Sequence, residues 1–117
     1  MALIDKSSTR QNSAGYSDVA PAEVTLPPTG FRIIDVREPS EFTSELGHIP
    51  SATLVPLATV TAQAATWNKG EEYLLVCRSG GRSGQAAMAL SKMGFSKVMN
   101  MTGGMLAWNA AGLPIER

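Results

Sequence analysis

Glu72-Tyr73-Leu74-Leu75-Val76-Cys77 runs without a break into Arg78-Ser79-Gly80-Gly81-Arg82-Ser83. The first half is an aliphatic and aromatic run of strand length, and it reads as a buried strand. The second half is a polar, glycine-bearing loop. Gln85 to Met93 then shows helical spacing, with Ala86, Leu90 and Met93 on the inner face and Gly94 as the stop. Strand, loop and helix in that order form the repeating unit of an α/β sheet. In such sheets ligands sit beyond the carboxyl ends of the strands, and Cys77 lies at one.

The same pattern extends outward in both directions. Phe31-Arg32-Ile33-Ile34-Asp35-Val36 is a second buried strand, followed by Pro39-Ser40-Glu41-Phe42 as the first turn of a helix. Gly47-His48-Ile49-Pro50 ends that helix. Ala52 to Val55 is a short strand, and Leu57 to Trp67 is helical. Lys97 to Met101 is the last strand, and Met105 to Ala111 the last helix, stopped by Gly112 before Pro114. Near the start, Tyr16 to Val19 is a candidate first strand, Pro21 to Val24 one helical turn, and Pro27 to Gly30 a loop. Strands alternating with helices predict an α/β sandwich with a mainly parallel sheet. Residues 5–17 are polar and small, and residues 1–15 read as a flexible N-terminal tail, leaving 16–117 as one domain.

Composition narrows the partners. Ten basic residues balance ten acidic ones, which argues against a general grip on nucleic acid or anionic lipid. The longest uncharged stretch, Ile49 to Asn68, is broken by Pro50 and Pro56 and makes a poor membrane span. One cysteine and one histidine rule out an internal disulfide and a Cys-rich zinc site, so neither metal nor cofactor is expected. A lone thiol without an export signal points to the reducing cytoplasm.

The loop after Cys77 carries the chemistry. A lone cysteine ending a core strand is ordinarily a small buried hydrophobe. Here the backbone N–H groups of the loop and the following helix N-terminus converge on one point and favour an anion. Arg78 and Arg82 add positive charge, and Gly80 and Gly81 let the backbone curl around the sulfur. Such surroundings lower a cysteine pKa to roughly 3.5–7.5 and make a nucleophilic thiolate.

With these residues in place, the chain resembles the rhodanese family over about residues 16–115. Ile33 to Phe42, Gly47-His48-Ile49-Pro50-Ser51-Ala52, Val76 to Ser83, and Gly103-Gly104-Met105-Leu106-Ala107-Trp108 with Ala111-Gly112-Leu113-Pro114 carry the resemblance in order. One departure is Ser51, where the family usually has glycine. The resemblance implies a three-layer sandwich built on a five-stranded, mainly parallel sheet with helices on both faces. It implies sulfur transfer through a persulfide on Cys77, cradled by Arg78, Ser79, Gly80, Gly81, Arg82 and Ser83. The expected activity is that of a thiosulfate sulfurtransferase, with cyanide or a thiol as acceptor. The alternative is a persulfide carrier delivering sulfur to a partner protein. A related phosphatase is the close rival. Those enzymes place five residues between cysteine and arginine, whereas Arg78 to Gly81 are four.

Other residues read less sharply. Asp35 and Arg37, at a strand end near Cys77, form first a structural ion-pair cluster and second a support of the site. Glu41 either pairs with Arg82 and holds the loop or faces water. His48 reads as a structural hydrogen-bonding group, Met105 and Trp108 as core, and Lys69 to Glu72 as a solvated turn.

Overall fold

A computed structural model describes residues 15–117 and the backbone of residues 10–11. The strands are β1 (Arg10–Gln11), β2 (Ser17–Val19), β3 (Phe31–Asp35), β4 (Thr53–Leu54), β5 (Glu72–Val76) and β6 (Lys97–Met101). The helices are α1 (Pro39–Phe42), α2 (Leu57–Ala64), α3 (Gly81–Lys92) and α4 (Gly104–Ala110), with a 3-10 turn over Pro21–Glu23. The sheet order is β1-β2-β6-β5-β3-β4. Five strands are mutually parallel, and the two-residue β1 adds an antiparallel edge on β2. Most of the tail expected over residues 1–15 lies outside the described residues, although Arg10–Gln11 in it pair with β2.

Side chains alternate across the sheet because the strand period is two. Ile34, Leu75 and Val98 point to one face, where they pack with Val60 and Ala64 of α2 and Ala86, Ala87 and Leu90 of α3. Ile33, Leu74 and Met99 point to the other, where they meet Met105 and Trp108 of α4 and Val24 beside the 3-10 turn. Both faces are therefore covered, as central parallel strands require. Met105 and Trp108 are buried, as expected of core residues.

Several boundaries differ from the sequence reading. α3 begins at Gly81, four residues before Gln85, so Gly81, Arg82 and Ser83 form its first turn and not a loop. α2 ends at Ala64, short of Trp67, which instead packs beside Tyr73 and Phe95. α1 is only one turn long, with Pro at its start. His48 serves structure: its Nδ1 lies 2.8 Å from the Phe42 carbonyl and its ring stacks on Phe42 at 3.7 Å. Lys69, in the turn read as solvated, sets its ammonium 5.3 Å from the Phe95 ring centre.

Candidate active site

Cys77 follows β5 directly, at the carboxyl end of the sheet, and is 1% exposed. Its carbonyl and that of Arg78 accept hydrogen bonds from the N–H groups of Met105 and Leu106, at 2.9 and 3.0 Å. The N-terminus of α4 thus grips the backbone of the loop from behind. Gly104 makes this approach feasible, since a Cβ there would stand 2.5 Å from the Cys77 and Arg78 carbonyl oxygens. The glycine pair at 103–104, which entered above only as part of the family resemblance, is the seat of the loop.

In front of the sulfur the chain turns sharply. Gly80 caps α3 with φ +104°, a conformation that favours glycine. Its N–H donates to Cys77 Sγ at 3.0 Å. The Ser83 hydroxyl, one helical turn on, lies 3.3 Å from the same sulfur. Gly81 is different: its φ is ordinary, and a Cβ there would meet nothing within 4 Å. The expectation that both glycines are needed for the curl holds for Gly80 alone.

Burial of the thiol pushes its pKa up, but hydrogen bonding wins. The Ser83 hydroxyl and the N–H groups of Ser83, Gly80 and Ser79 together bring Cys77 below its ordinary value. The loop donors expected from the sequence are the main cause, and the two arginines it added to them are not among the leading ones. Arg82 spreads both guanidinium nitrogens over the Glu41 carboxylate at 2.7 and 2.8 Å. That neighbouring negative charge offsets Arg82 as seen from the sulfur. Arg78 is exposed and, among the described residues, its guanidinium makes no hydrogen bond or ion pair.

Glu41 resolves towards pairing. Its carboxyl is held at about 2 against an ordinary 4.5, by the Arg82 hydrogen bonds against the pull of burial, with the Glu38 N–H adding to Arg82. The Glu38 N–H donates to Glu41 Oε1 at 3.0 Å. Asp35 and Arg37 form a buried bidentate pair, with Arg37 Nη2 and Nε at 2.7 and 2.9 Å from the carboxylate. Arg37 also donates to the carbonyls of Gly47 and Glu41, at 2.7 and 3.2 Å. Neither Asp35 nor Arg37 hydrogen-bonds Cys77. Their connection to the loop runs through Glu41 and on to Arg82.

Sequence reasoning missed Asn100. Its Oδ1 is 2.5 Å from Ser83 Oγ, and its Nδ2 donates to Asp18 Oδ1 at 3.3 Å. The available signal was one polar residue between Met99 and Met101 in a strand that is apolar from Val98 on.

A cysteine closed in by backbone donors at the end of a parallel strand defines an anion-stabilising thiol site on an α/β sheet. The rhodanese-like domain profile matches residues 21–111, and the chain belongs to that family. A "Sulfurtransferase" of Allochromatium vinosum is 33% identical over 112 residues, which cover 96% of this chain and 92% of that protein. The Bacillus subtilis (strain 168) protein YrkF, named provisionally as a sulfur carrier, is 42% identical over 78 residues. That match covers 67% of this chain but only 41% of YrkF. Among solved structures, the rhodanese-like domain protein from Staphylococcus aureus superposes with a TM-score of 0.71 at 33% identity. It covers 86% of this chain and 98% of that one. None of the helices among the described residues is long and apolar enough to cross a membrane.

Proposed function

We propose that this chain is a thiosulfate sulfurtransferase that carries sulfur as a persulfide on Cys77. The observation that carries the reading is the Gly80 N–H aimed at Sγ at 3.0 Å, with the Ser83 hydroxyl beside it. Donors fixed in this way favour the thiolate over the thiol, and the thiolate is the reactive species.

The reaction has two halves. In the first, Cys77 thiolate attacks the outer sulfur of thiosulfate. An Sγ–S bond forms, the S–S bond of thiosulfate breaks, and sulfite leaves with the electron pair. One negative charge from the thiolate and two from thiosulfate become one on the persulfide and two on sulfite. In the second half, cyanide or a thiolate attacks the outer persulfide sulfur and restores Cys77 thiolate. No general base is required. Arg78, exposed and without a partner among the described residues, is a cation available to meet an anionic donor. Arg82 holds the loop's shape through Glu41.

A four-residue interval between Cys77 and Arg82 makes a tight ring of donors around one sulfur, which supports sulfur over phosphate as the cargo. A reduced lone thiolate suits the cytoplasm. The test is turnover of thiosulfate plus cyanide, run beside an aryl phosphate, with Cys77→Ser as the control. Thiocyanate should form with wild type, vanish with the serine variant, and no phosphate should be released. Thiocyanate formation by a folded Cys77→Ser protein would overturn the reading.

A second reading, delivery of sulfur to a partner protein, draws on the resemblance to YrkF. It predicts a persulfide that forms from thiosulfate but discharges slowly to cyanide.

A further inference from the structure

Among the described residues only four polar or charged side chains are buried: Asp35, Arg37, Ser83 and Asn100. The first two satisfy one another. The other two form a chain that ends on the reactive sulfur, from Asp18 through Asn100 and Ser83 to Cys77. It reaches from β2 across β6 to α3 and β5.

The direction of the amide follows from hydrogen-bond chemistry. An ionised carboxylate only accepts, so the Asn100 nitrogen faces Asp18 and its oxygen faces Ser83. The Ser83 hydroxyl therefore has two acceptors, Asn100 Oδ1 at 2.5 Å and Cys77 Sγ at 3.3 Å. It has one proton. Both acceptors cannot be served at once by a full hydrogen bond.

We propose that Asn100 is a positioning residue, accepting the Ser83 hydroxyl's hydrogen bond whenever Cys77 does not. The inference rests on the persulfide chemistry proposed above. While Sγ carries the negative charge, a charge-assisted bond draws the hydroxyl to sulfur. When Sγ attacks the donor, its charge moves out to the new terminal sulfur, and Sγ becomes a poor acceptor. The Ser83 hydroxyl is fully buried and would then be left unsatisfied, which is costly. Asn100 supplies the second acceptor, so the charge can leave Sγ without stranding a donor. Asp18 fixes the amide so that an oxygen, not an N–H, is presented.

The charged groups near this chain are Asp18 from β2, Arg78 directly after Cys77, Arg82 in α3 with its partner Glu41, and Asp35 and Arg37 at the end of β3. The Tyr16 hydroxyl lies beside Gly84. Their charges act on the sulfur whichever way the hydroxyl points. A cycle with Ser83 separates them from the switch.

The test is the pH dependence of Cys77 alkylation by iodoacetamide in wild type, Asn100→Leu, Ser83→Ala and the double variant, with thermal melts as the check on folding. Asn100→Leu leaves the hydroxyl only the sulfur, so the midpoint should move to lower pH. Ser83→Ala should move it to higher pH. In the Ser83→Ala background, adding Asn100→Leu should change nothing. Persulfide formation from thiosulfate should slow by about threefold to tenfold in Asn100→Leu, the worth of one hydrogen bond. An upward shift, no shift, or the same shift in both backgrounds would overturn the proposal.

If Asn100→Leu does not fold, Asp18→Asn takes its place, since it frees the amide to turn. Its lost charge acts equally in both backgrounds. Only a larger downward shift with Ser83 present supports the switch, and equal shifts refute it. A wild type that takes no sulfur from thiosulfate would defeat the proposed function, whereas the alkylation cycle would still report on the hydroxyl.

Discussion

Two carboxylate–guanidinium pairs stand at the carboxyl end of the sheet, and they differ in almost everything except geometry. Asp35–Arg37 is two residues apart in sequence, and both side chains are 1% exposed. Glu41–Arg82 bridges 41 residues, and its side chains are 28% and 35% exposed. Both are bidentate. The buried pair has every guanidinium nitrogen engaged, on its own carboxylate and on the carbonyls of Gly47 and Glu41. It locks the end of β3 to α1 and the turn that follows. The open pair ties that assembly to the first turn of α3. One pair therefore belongs to folding stability, while the other sets how the charge of Arg82 reaches the site.

The sharpest way to break this contrast is to remove one member of the buried pair. Asp35→Ala leaves the Arg37 guanidinium charged in an apolar setting, and the expected loss is about 3–5 kcal/mol of folding stability. Urea denaturation measures it. A loss under about 1 kcal/mol would mean that Arg37 escapes to solvent and that the two pairs are alike.

The next effect concerns catalysis. With Arg82 held by Glu41, the proposed function leaves donor binding to Arg78, whose guanidinium has no partner among the described residues. Arg78→Ala should therefore cost about 1.5–3 kcal/mol in the first half-reaction, the value of a charge-assisted hydrogen bond. The second half-reaction, whose acceptor carries one charge where thiosulfate carries two, should change less. Single-turnover persulfide formation from thiosulfate checks this. An unchanged rate would give the donor-binding role back to Arg82.

A smaller effect sharpens the scaffold side. The turn just beyond Gly47 carries Ser51 at φ +76°, the one non-glycine residue with positive φ among the described residues. The left-handed conformation costs a side-chain-bearing residue about 1–2 kcal/mol, of which glycine's greater chain entropy returns part. Ser51→Gly should then stabilise by about 0.5–1 kcal/mol, read as a rise in melting temperature, with sulfur transfer unchanged. This strain gives a physical reason for a glycine at such a position.

Much of this was legible in the residues. β6 matched the reading of Lys97–Met101, and Cys77 with its following loop stood out because a buried strand ran straight into polar, glycine-bearing sequence. What local patterns could not supply was the pairing. For Glu41 the residues left pairing with Arg82 and exposure to water equally open, and nothing near Asn100 specifies Ser83 or Asp18, which lie 17 and 82 residues away. The start of α3 was hidden for a different reason. Its first turn is Gly-Arg-Ser-Gly, poor in helix formers and lacking an apolar stripe, and tertiary contacts decide it. Two arginines in sequence looked equivalent as anion binders. Only the fold assigns one of them to Glu41.

The smallest predicted effect tests the open pair by pH. The folded-state pKa of Glu41 lies near 2, below the ordinary 4.5. A depressed carboxyl contributes stability that is complete above the unfolded value and disappears as pH falls through the folded one. The contribution should thus be constant above about pH 5, decline between about 4.5 and 2, and be absent below. The pair is open enough for solvent to screen it, so its size should not exceed about 1 kcal/mol. Comparing wild type with Glu41→Gln by urea denaturation across that range isolates it, because glutamine cannot titrate. The difference should be small at neutral pH and close as pH approaches 2. Glu41→Gln should also expose the Arg82 charge to the sulfur and move the Cys77 alkylation midpoint to lower pH. A large stability difference with no change at Cys77 would reverse the division of labour and make the open pair a second scaffold.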